Sequence, residues 1–361
     1  DILSRILSEL PINDAIRTCI LSRKWKYVWC SHNNLTFNSA TMRKHYFKST
    51  TRYGYGILSD NEFIMRVDKM LHQHSGLGVE RMEVKFRLHN KHAYYNNRWV
   101  NFAIASKTKE LIIQLFGWAK LLVPRDISCG RVIEEPYNLP SQLFDAGNGS
   151  YLQYLELTCV SLQLPADFNG FRNLKRLTLV DRMNLPRRLF KFNYLRHLNL
   201  ELVIVGEEDR ETDVLDYAQV LEVAPFIQKL ELRMWMNCRD QPYRKENGEL
   251  RRRPRHQHSH LRLVRISGFF GHKDQVELAL RILGSSVNLE KMEITPMIEI
   301  TGLLEAAMQS YRMTSYADGY RVATEFVCKE DRRSVVQVVK ASFPYDPYLT
   351  PAMEEVEHEG P

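Results

Sequence analysis

The side chains whose types and spacing could do chemistry are few. His256, His258 and His260 alternate along the chain, a spacing that invites a metal reading. No Cys, Asp or Glu stands beside them, and a leucine-rich unit begins at His260, so no metal ion is expected. His72 and His74 lack companions in the same way. The dense basic run Arg251-Arg252-Arg253-Pro254-Arg255 could contact phosphate or direct nuclear import. Gly248 and Pro254 flank or interrupt it and no aromatic residues interleave it, which favours a solvated loop. Gly54-Tyr55-Gly56 and Gly76-Leu77-Gly78 both lack the third glycine of a dinucleotide loop. No G-x-S-x-G elbow, P-loop or H-E-x-x-H stretch occurs. Neither a catalytic residue nor a cofactor is expected, which leaves surfaces as the carriers of function.

The elements that would present such surfaces follow from hydrophobic periodicity. Ile2, Leu3, Ile6, Leu7 and Leu10 fall at helical spacing, and Pro11 stops that run because the residue before proline avoids the helical region. Asn13 is the expected cap of a second helix carrying Ala15, Ile16, Cys19 and Ile20, with Asp14 in its first turn. Ser22 is the expected cap of a third, in which Trp25, Val28 and Trp29 share one face. Two indoles on one face exceed what three short helices bury, so another surface is expected to cover them.

From the middle of the chain a Leu-x-x-Leu-x-Leu unit recurs. It begins at Leu152, Leu174, Leu195, Ile227, Leu261 and Leu289, with looser copies at Val79 and Thr108. The separations of 22, 21, 32, 34 and 28 residues suit stacked repeats with longer connections in the later units. Each unit predicts a strand with one buried face. The other face is then lined by Tyr154, Arg176, His197, Lys229, Leu263 and Lys291 in one column. Glu156, Thr178, Asn199, Glu231, Arg265 and Glu293 form the next. Two uses of this face stay open: mutual neutralisation across a solvated sheet, or contact with a protein target at Tyr154, Arg176, His197, Lys229, Arg265 and Lys291. The pattern Phe63, Ile64, Val67, Met70 and Leu71 predicts a helix ahead of the first repeat.

With 50 basic against 43 acidic residues among 361, the net charge of +7 is dispersed, so nucleic-acid binding is not implied. The six cysteines, at 19, 30, 129, 159, 238 and 328, form no C-x-x-C pair and are expected to be free thiols. No apolar run of eighteen residues occurs, so no membrane span is expected. The sequence opens at Asp1 without a Met, and a start further upstream is expected.

The string from Ile2 to Trp25, with its internal Leu10-Pro11 and Leu21-Ser22-Arg23-Lys24-Trp25, resembles the F-box of the large plant F-box/leucine-rich-repeat family. Leu139-Pro140-Ser141-Gln142-Leu143-Phe144 and Pro165-Ala166-Asp167-Phe168-Asn169-Gly170-Phe171 resemble connectors of its repeats. His260 to Met292, with Gly268-Phe269 at its turn, is similar to the FBD motif that follows such repeats. The resemblance implies an α/β architecture: a three-helix F-box joined to a leucine-rich-repeat solenoid, or horseshoe, with an FBD-like end. Its expected bounds are F-box 1–40, helical linker 41–78, repeats 79–300 with the FBD-like motif at about 255–300, a C-terminal cap 301–342 and a flexible tail 343–361.

The resemblance also implies a non-catalytic adaptor. The F-box would bind a Skp-type adaptor of an SCF-type cullin-RING ubiquitin ligase through Leu10, Pro11, Ile16, Leu21, Ser22, Arg23 and Trp25, while the repeats hold a protein target. The family carries a further Leu-Pro ahead of the Asp1-Ile2 at which this sequence opens, so the inference is drawn for a chain that has it. Cytoplasm and/or nucleus is the expected location. The alternatives are a repeat-pocket receptor for a small molecule and a nucleic-acid-binding repeat protein.

Overall fold

Apolar and polar residues alternate in the second half of each leucine-rich unit, and a period of two makes a strand with one dry face. In the computed structural model each unit is such a strand. It describes Ile6, Leu10, residues 12–18, 21–22, 25–42, 58–115, 136–145, 149–165, 168, 170–180, 191–205, 213–237, 241–251, 257–298 and 313–340. The strands are β1 (Asn34–Asn38), β2 (Arg81–Phe86), β3 (Glu110–Leu115), β4 (Tyr137–Leu139), β5 (Tyr154–Thr158), β6 (Val160–Leu162), β7 (Arg176–Val180), β8 (His197–Val205), β9 (Lys229–Asn237), β10 (Leu263–Ser267), β11 (Lys291–Thr295) and β12 (Val336–Val338). Ten of them form one sheet in the order β1-β2-β3-β5-β7-β8-β9-β10-β11-β12, and β4 and β6 form a small second sheet. Every pairing is parallel.

The first strand lies outside the expected repeat region. Asn34-Leu-Thr-Phe-Asn38 has no Leu-x-x-Leu-x-Leu unit, yet it pairs with β2 from Asn34↔Arg81 to Asn38↔Lys85. The sheet therefore begins at residue 34 rather than near 79. At the other end it runs past 300, where β12 pairs with β11. Leu155, Leu157, Leu177, Leu198, Leu200, Leu230 and Leu232 are all buried in one continuous core. Among the described residues the helices longer than one turn are α1 (Ile12–Arg17), α2 (Asp60–Gln73), α3 (Ala93–Ala105), α4 (Lys273–Ser285) and α5 (Met313–Val322), and a single α-helical turn spans Val220–Val223. Among the described residues, no helix is long and apolar enough to cross a membrane.

Helix α2 is the one expected between the N-terminal module and the first repeat. Ser59 caps it, its side chain accepting from the Glu62 N–H at 3.2 Å, and Phe63, Ile64, Val67 and Leu71 are its buried face. Phe63 stacks on Phe86 with centroids 4.0 Å apart and meets Trp99 edge-on at 6.1 Å. Trp99 Nε1 in turn donates to Asp68 Oδ1 at 2.7 Å, so α2, α3 and β2 close around one aromatic cluster.

The FBD-like stretch has the expected order of strand, Gly-Phe turn, helix and strand: β10, Gly268-Phe269, α4 and β11. The Gln275 side chain on α4 closes the turn. Its Oε1 accepts from the Phe270 N–H at 2.9 Å and its Nε2 donates to Gly268 O at 3.0 Å. Gly268 has φ +67°, and a Cβ there would lie 1.8 Å from Met234 O. Only glycine satisfies both the left-handed backbone and the close approach. Gly78 also has positive φ, +72°, but opens onto free space. Gly268→Ala should therefore destabilise the chain by about 3 kcal/mol or more, and Gly78→Ala by only about 1 kcal/mol. Urea-unfolding midpoints of the two variants check this, and equal shifts would contradict the packing argument.

Candidate functional site

Two surfaces could act on other molecules, one at each side of the α2 joint. At the N-terminal module, Ile12 and Ala15 of α1 are buried, whereas Leu21 is 64% and Ile6 50% exposed. Ser22 is exposed as well, and Leu10, Ile16 and Trp25 are half-buried against the core. Pro11 and Arg23 lie outside the described residues, as do most residues of the expected first helix. Helix α1 starts at Ile12, so Asn13 sits within its first turn rather than capping it. The expected third helix is a tighter 3-10 element, Trp25–Ser31. Trp29 is only 6% exposed and belongs to the core. The chain's own body thus covers the second indole, and no outside surface is needed for it. Among the described residues of the module, the open apolar groups are Ile6 and Leu21 instead.

Buried histidines tie this module to the sheet. His32 Nε2 lies 2.9 Å from Leu10 O, while its Nδ1 accepts from the Asn34 N–H at 3.1 Å. His74, just past α2, places Nε2 2.9 Å from His32 O and accepts from the Gly76 N–H at Nδ1. Burial pushes the His74 pKa down. His258 repeats the arrangement further along. Its Nδ1 accepts from the Leu261 N–H at 3.1 Å and its Nε2 stands 3.1 Å from Ala224 O. Both of its ring nitrogens are thereby occupied by backbone. His256 is outside the described residues, and among the described residues no group of three metal-ligating side chains assembles.

The second surface is the polar face of the sheet. Register aligns Tyr154↔Arg176↔His197↔Lys229↔Leu263↔Lys291 in one column. The same pairings align Glu156, Thr178, Asn199, Glu231, Arg265 and Glu293 in the next. The two columns expected from alternation are both real. Exposure is less uniform than expected: Thr178 and Glu231 are each 7% exposed, both on strands flanked by a strand on either side.

Charge on this face is largely neutralised. Glu231 sits among His197 at 3.6 Å, Lys229 and Arg233 at 3.3 Å. His197 and then Lys229 hold its carboxyl well below the usual carboxylate range, against the upward pull of burial. Glu293 is paired by Lys291 and by Arg265, each at 2.8 Å, and Lys291 foremost lowers its pKa. Arg81 bridges Glu83 at 3.0 Å and Glu110 at 3.4 Å. The Tyr154 hydroxyl donates to Glu156, and burial raises its pKa to about 12. Among the described residues Arg176 meets no carboxylate; its guanidinium lies over the Tyr154 ring, 5.4 Å from the centroid.

The basic run begins with a group already in use. Arg251 Nε donates to Glu277 Oε2 at 2.7 Å, and its other nitrogens reach Asp213. Arg252 to Arg255 lie outside the described residues. Reading the sequence alone missed the row just before the strands, which holds Lys175 and Arg196. The signal was the first x of Leu174-Lys-Arg-Leu177 and Leu195-Arg-His-Leu198, which alternation assigned to neither face.

The F-box domain model matches residues 1–37, and the model of the At1g61320/AtMIF1 LRR domain matches residues 70–185 and 180–318. The chain is 25% identical over 266 residues to the putative F-box/FBD/LRR-repeat protein At5g62970 of Arabidopsis thaliana, covering 70% of this chain and 54% of that protein. It is 22% identical over 235 residues to the F-box/FBD/LRR-repeat protein At4g26340 of the same plant, covering 64% and 47%. The F-box/LRR-repeat protein At1g55660, also of Arabidopsis thaliana, is 30% identical over 128 residues, or 34% of this chain and 31% of that one. The chain thus spans about half the length of the first two relatives. No solved structure matches. With the repeat-domain model covering well over half of its length and the F-box model its start, the chain belongs to the plant F-box/leucine-rich-repeat family and carries FBD-like features.

Proposed function

We propose that this chain is the non-catalytic substrate-recognition adaptor of an SCF-type cullin-RING ubiquitin ligase. Its F-box holds a Skp-type adaptor and its repeats hold a protein target, in the cytoplasm and/or nucleus. The observation that carries this reading is the conjunction of an F-box match over 1–37 with a 64%-exposed Leu21 in that module, tied through His32 and His74 to a polar sheet face. In this reading 1–40 is a three-helix F-box, 41–78 the link and 79–300 the repeats, with 301–342 as cap and 343–361 as tail. Stacked parallel strands with longer outer connections favour a curved horseshoe, whose inner face would carry Tyr154, Arg176, His197, Lys229, Arg265 and Lys291. The Skp-type adaptor would cover Leu21 together with Leu10, Pro11, Ile16, Ser22, Arg23 and Trp25, gaining about 25 cal/mol for each Å² of apolar surface removed from water.

Leu21→Asp should abolish co-purification of the full chain with a Skp-type adaptor while leaving its unfolding midpoint unchanged, since Leu21 is not a core residue. Retained capture would overturn the reading. Trp25→Asp should weaken capture and stability together, because Trp25 packs against the core.

The ion-paired face should also set stability against pH. A carboxylate whose folded pKa is depressed, as for Glu231, contributes stability above its unfolded value near pH 4.3, lost as pH falls through the folded value. Glu231→Gln should cost about 1–3 kcal/mol at pH 7, and its difference from the parent should shrink towards about pH 3. Denaturant unfolding at several pH values reads this directly.

A further inference from the structure

Just before each strand the backbone ladder continues for one more residue. The Gln153 N–H donates to Lys109 O, Lys175 to Gln153, Arg196 to Lys175, Gln228 to Arg196 and Arg262 to Gln228. These residues therefore form an aligned row along the edge where the strands begin. Its two ends are neutral: Lys109 pairs with Glu80 at 2.8 Å, and Arg262 pairs with Glu290 at 3.0 Å. Its centre is not. Lys175 Nζ meets only the Gln153 amide oxygen, at 3.4 Å, and Arg196 donates to the Phe226 carbonyl at 2.9 Å. Both side chains lack a carboxylate among the described residues. Beside them stand two exposed aromatic rings, Tyr194 at 54% and Phe226 at 39%, the latter 5.4 Å from the Arg196 guanidinium.

We propose that this basic and aromatic patch, Lys175 and Arg196 with Tyr194 and Phe226, is a docking site for a short acidic protein segment that carries an aliphatic or aromatic side chain beside its carboxylates. The inference rests on the target-binding reading above and names the chemistry of the target. Among the described residues Arg81, Lys109, Lys229, Arg233, Arg262, Arg265 and Lys291 each meet a carboxylate, so Lys175 and Arg196 mark where an outside anion gains most. The patch is narrow. Lys175 and Arg196 immediately precede neighbouring strands about 4.8 Å apart, and carboxylates return at Glu156 on one side and Glu231 on the other. A nucleic acid, which needs a track of several phosphates, would meet those carboxylates within two strands. Two or three acidic residues of an extended peptide fit the width, and exposed Tyr and Phe supply the apolar anchor that such contacts use.

The test is fluorescence anisotropy on the full chain, using as probe a fluorescein-labelled peptide built from Glu, Asp and Leu. The same peptide with Lys for its acids and a short oligothymidylate serve as comparisons. The acidic peptide should bind tightest. The double variant Lys175→Gln with Arg196→Gln should weaken it about tenfold. Lys109→Gln with Arg262→Gln removes the same charge from the paired ends of the same row and should weaken it by less than about twofold. Equal losses in the two double variants, no preference over the basic peptide, or tighter binding of the oligothymidylate would each overturn the proposal. Neither double variant touches the F-box, so co-purification with a Skp-type adaptor reports on the adaptor reading separately.

Discussion

The backbone ladder that steps from Lys109 to Gln153, Lys175, Arg196, Gln228 and Arg262 determines how the rest of the molecule is arranged. With side chains alternating at a period of two, a one-residue slip in any strand would turn its leucines out of the core and its charges into it. Holding register from β1 to β12 therefore does two things at once. It stacks the leucines of all units into one layer that no unit could bury alone, and it lines up the intervening residues as columns. Connections of unequal length are tolerated because they lie outside the ladder, where extra residues do not disturb the pairing.

Three buried histidines are spent on the backbone. His32, His74 and His258 each use one ring nitrogen to accept from a nearby N–H and set the other against a distant carbonyl. Gln275 serves Gly268 and Phe270 in the same way. An unpaired buried group would cost about as much as a lost hydrogen bond, so these side chains stabilise turns that the ladder cannot reach. His258 thereby fixes the turn before β10.

Much of this was legible in the sequence for a physical reason. The Leu-x-x-Leu-x-Leu unit reports a local periodicity, and it located β2, β3, β5 and β7 to β11 together with the pairing of their polar residues into columns. The amphipathic run of Phe63 to Leu71 was equally local. What periodicity could not show depends on distant partners. Asn34 to Asn38 alternates polar and apolar over only five residues with no Leu-x-x-Leu-x-Leu unit, and it joins the sheet by pairing with β2. The face of Trp25 and Trp29 looked uncovered because its covering residues come from elsewhere in the chain. Alternation put Glu231 on the polar face correctly, but its burial and its three basic neighbours arise from β8 and β9 together. Lys175 and Arg196 escaped notice since a residue just ahead of a strand belongs to neither face until the ladder places it.

The entry of β1 into the sheet makes the N-terminal module and the polar face parts of one ruler. Strand β1 follows the module after Asn33, whose carbonyl accepts from the Glu80 N–H at 2.8 Å, and no free tether intervenes. Distances along that ruler are graduated by the inter-strand spacing of about 4.8 Å. Gain or loss of a whole unit would shift everything beyond it by one graduation while leaving each column intact. Lineages of such chains can then change reach in discrete increments, and can do so independently of the residues that decide what is held.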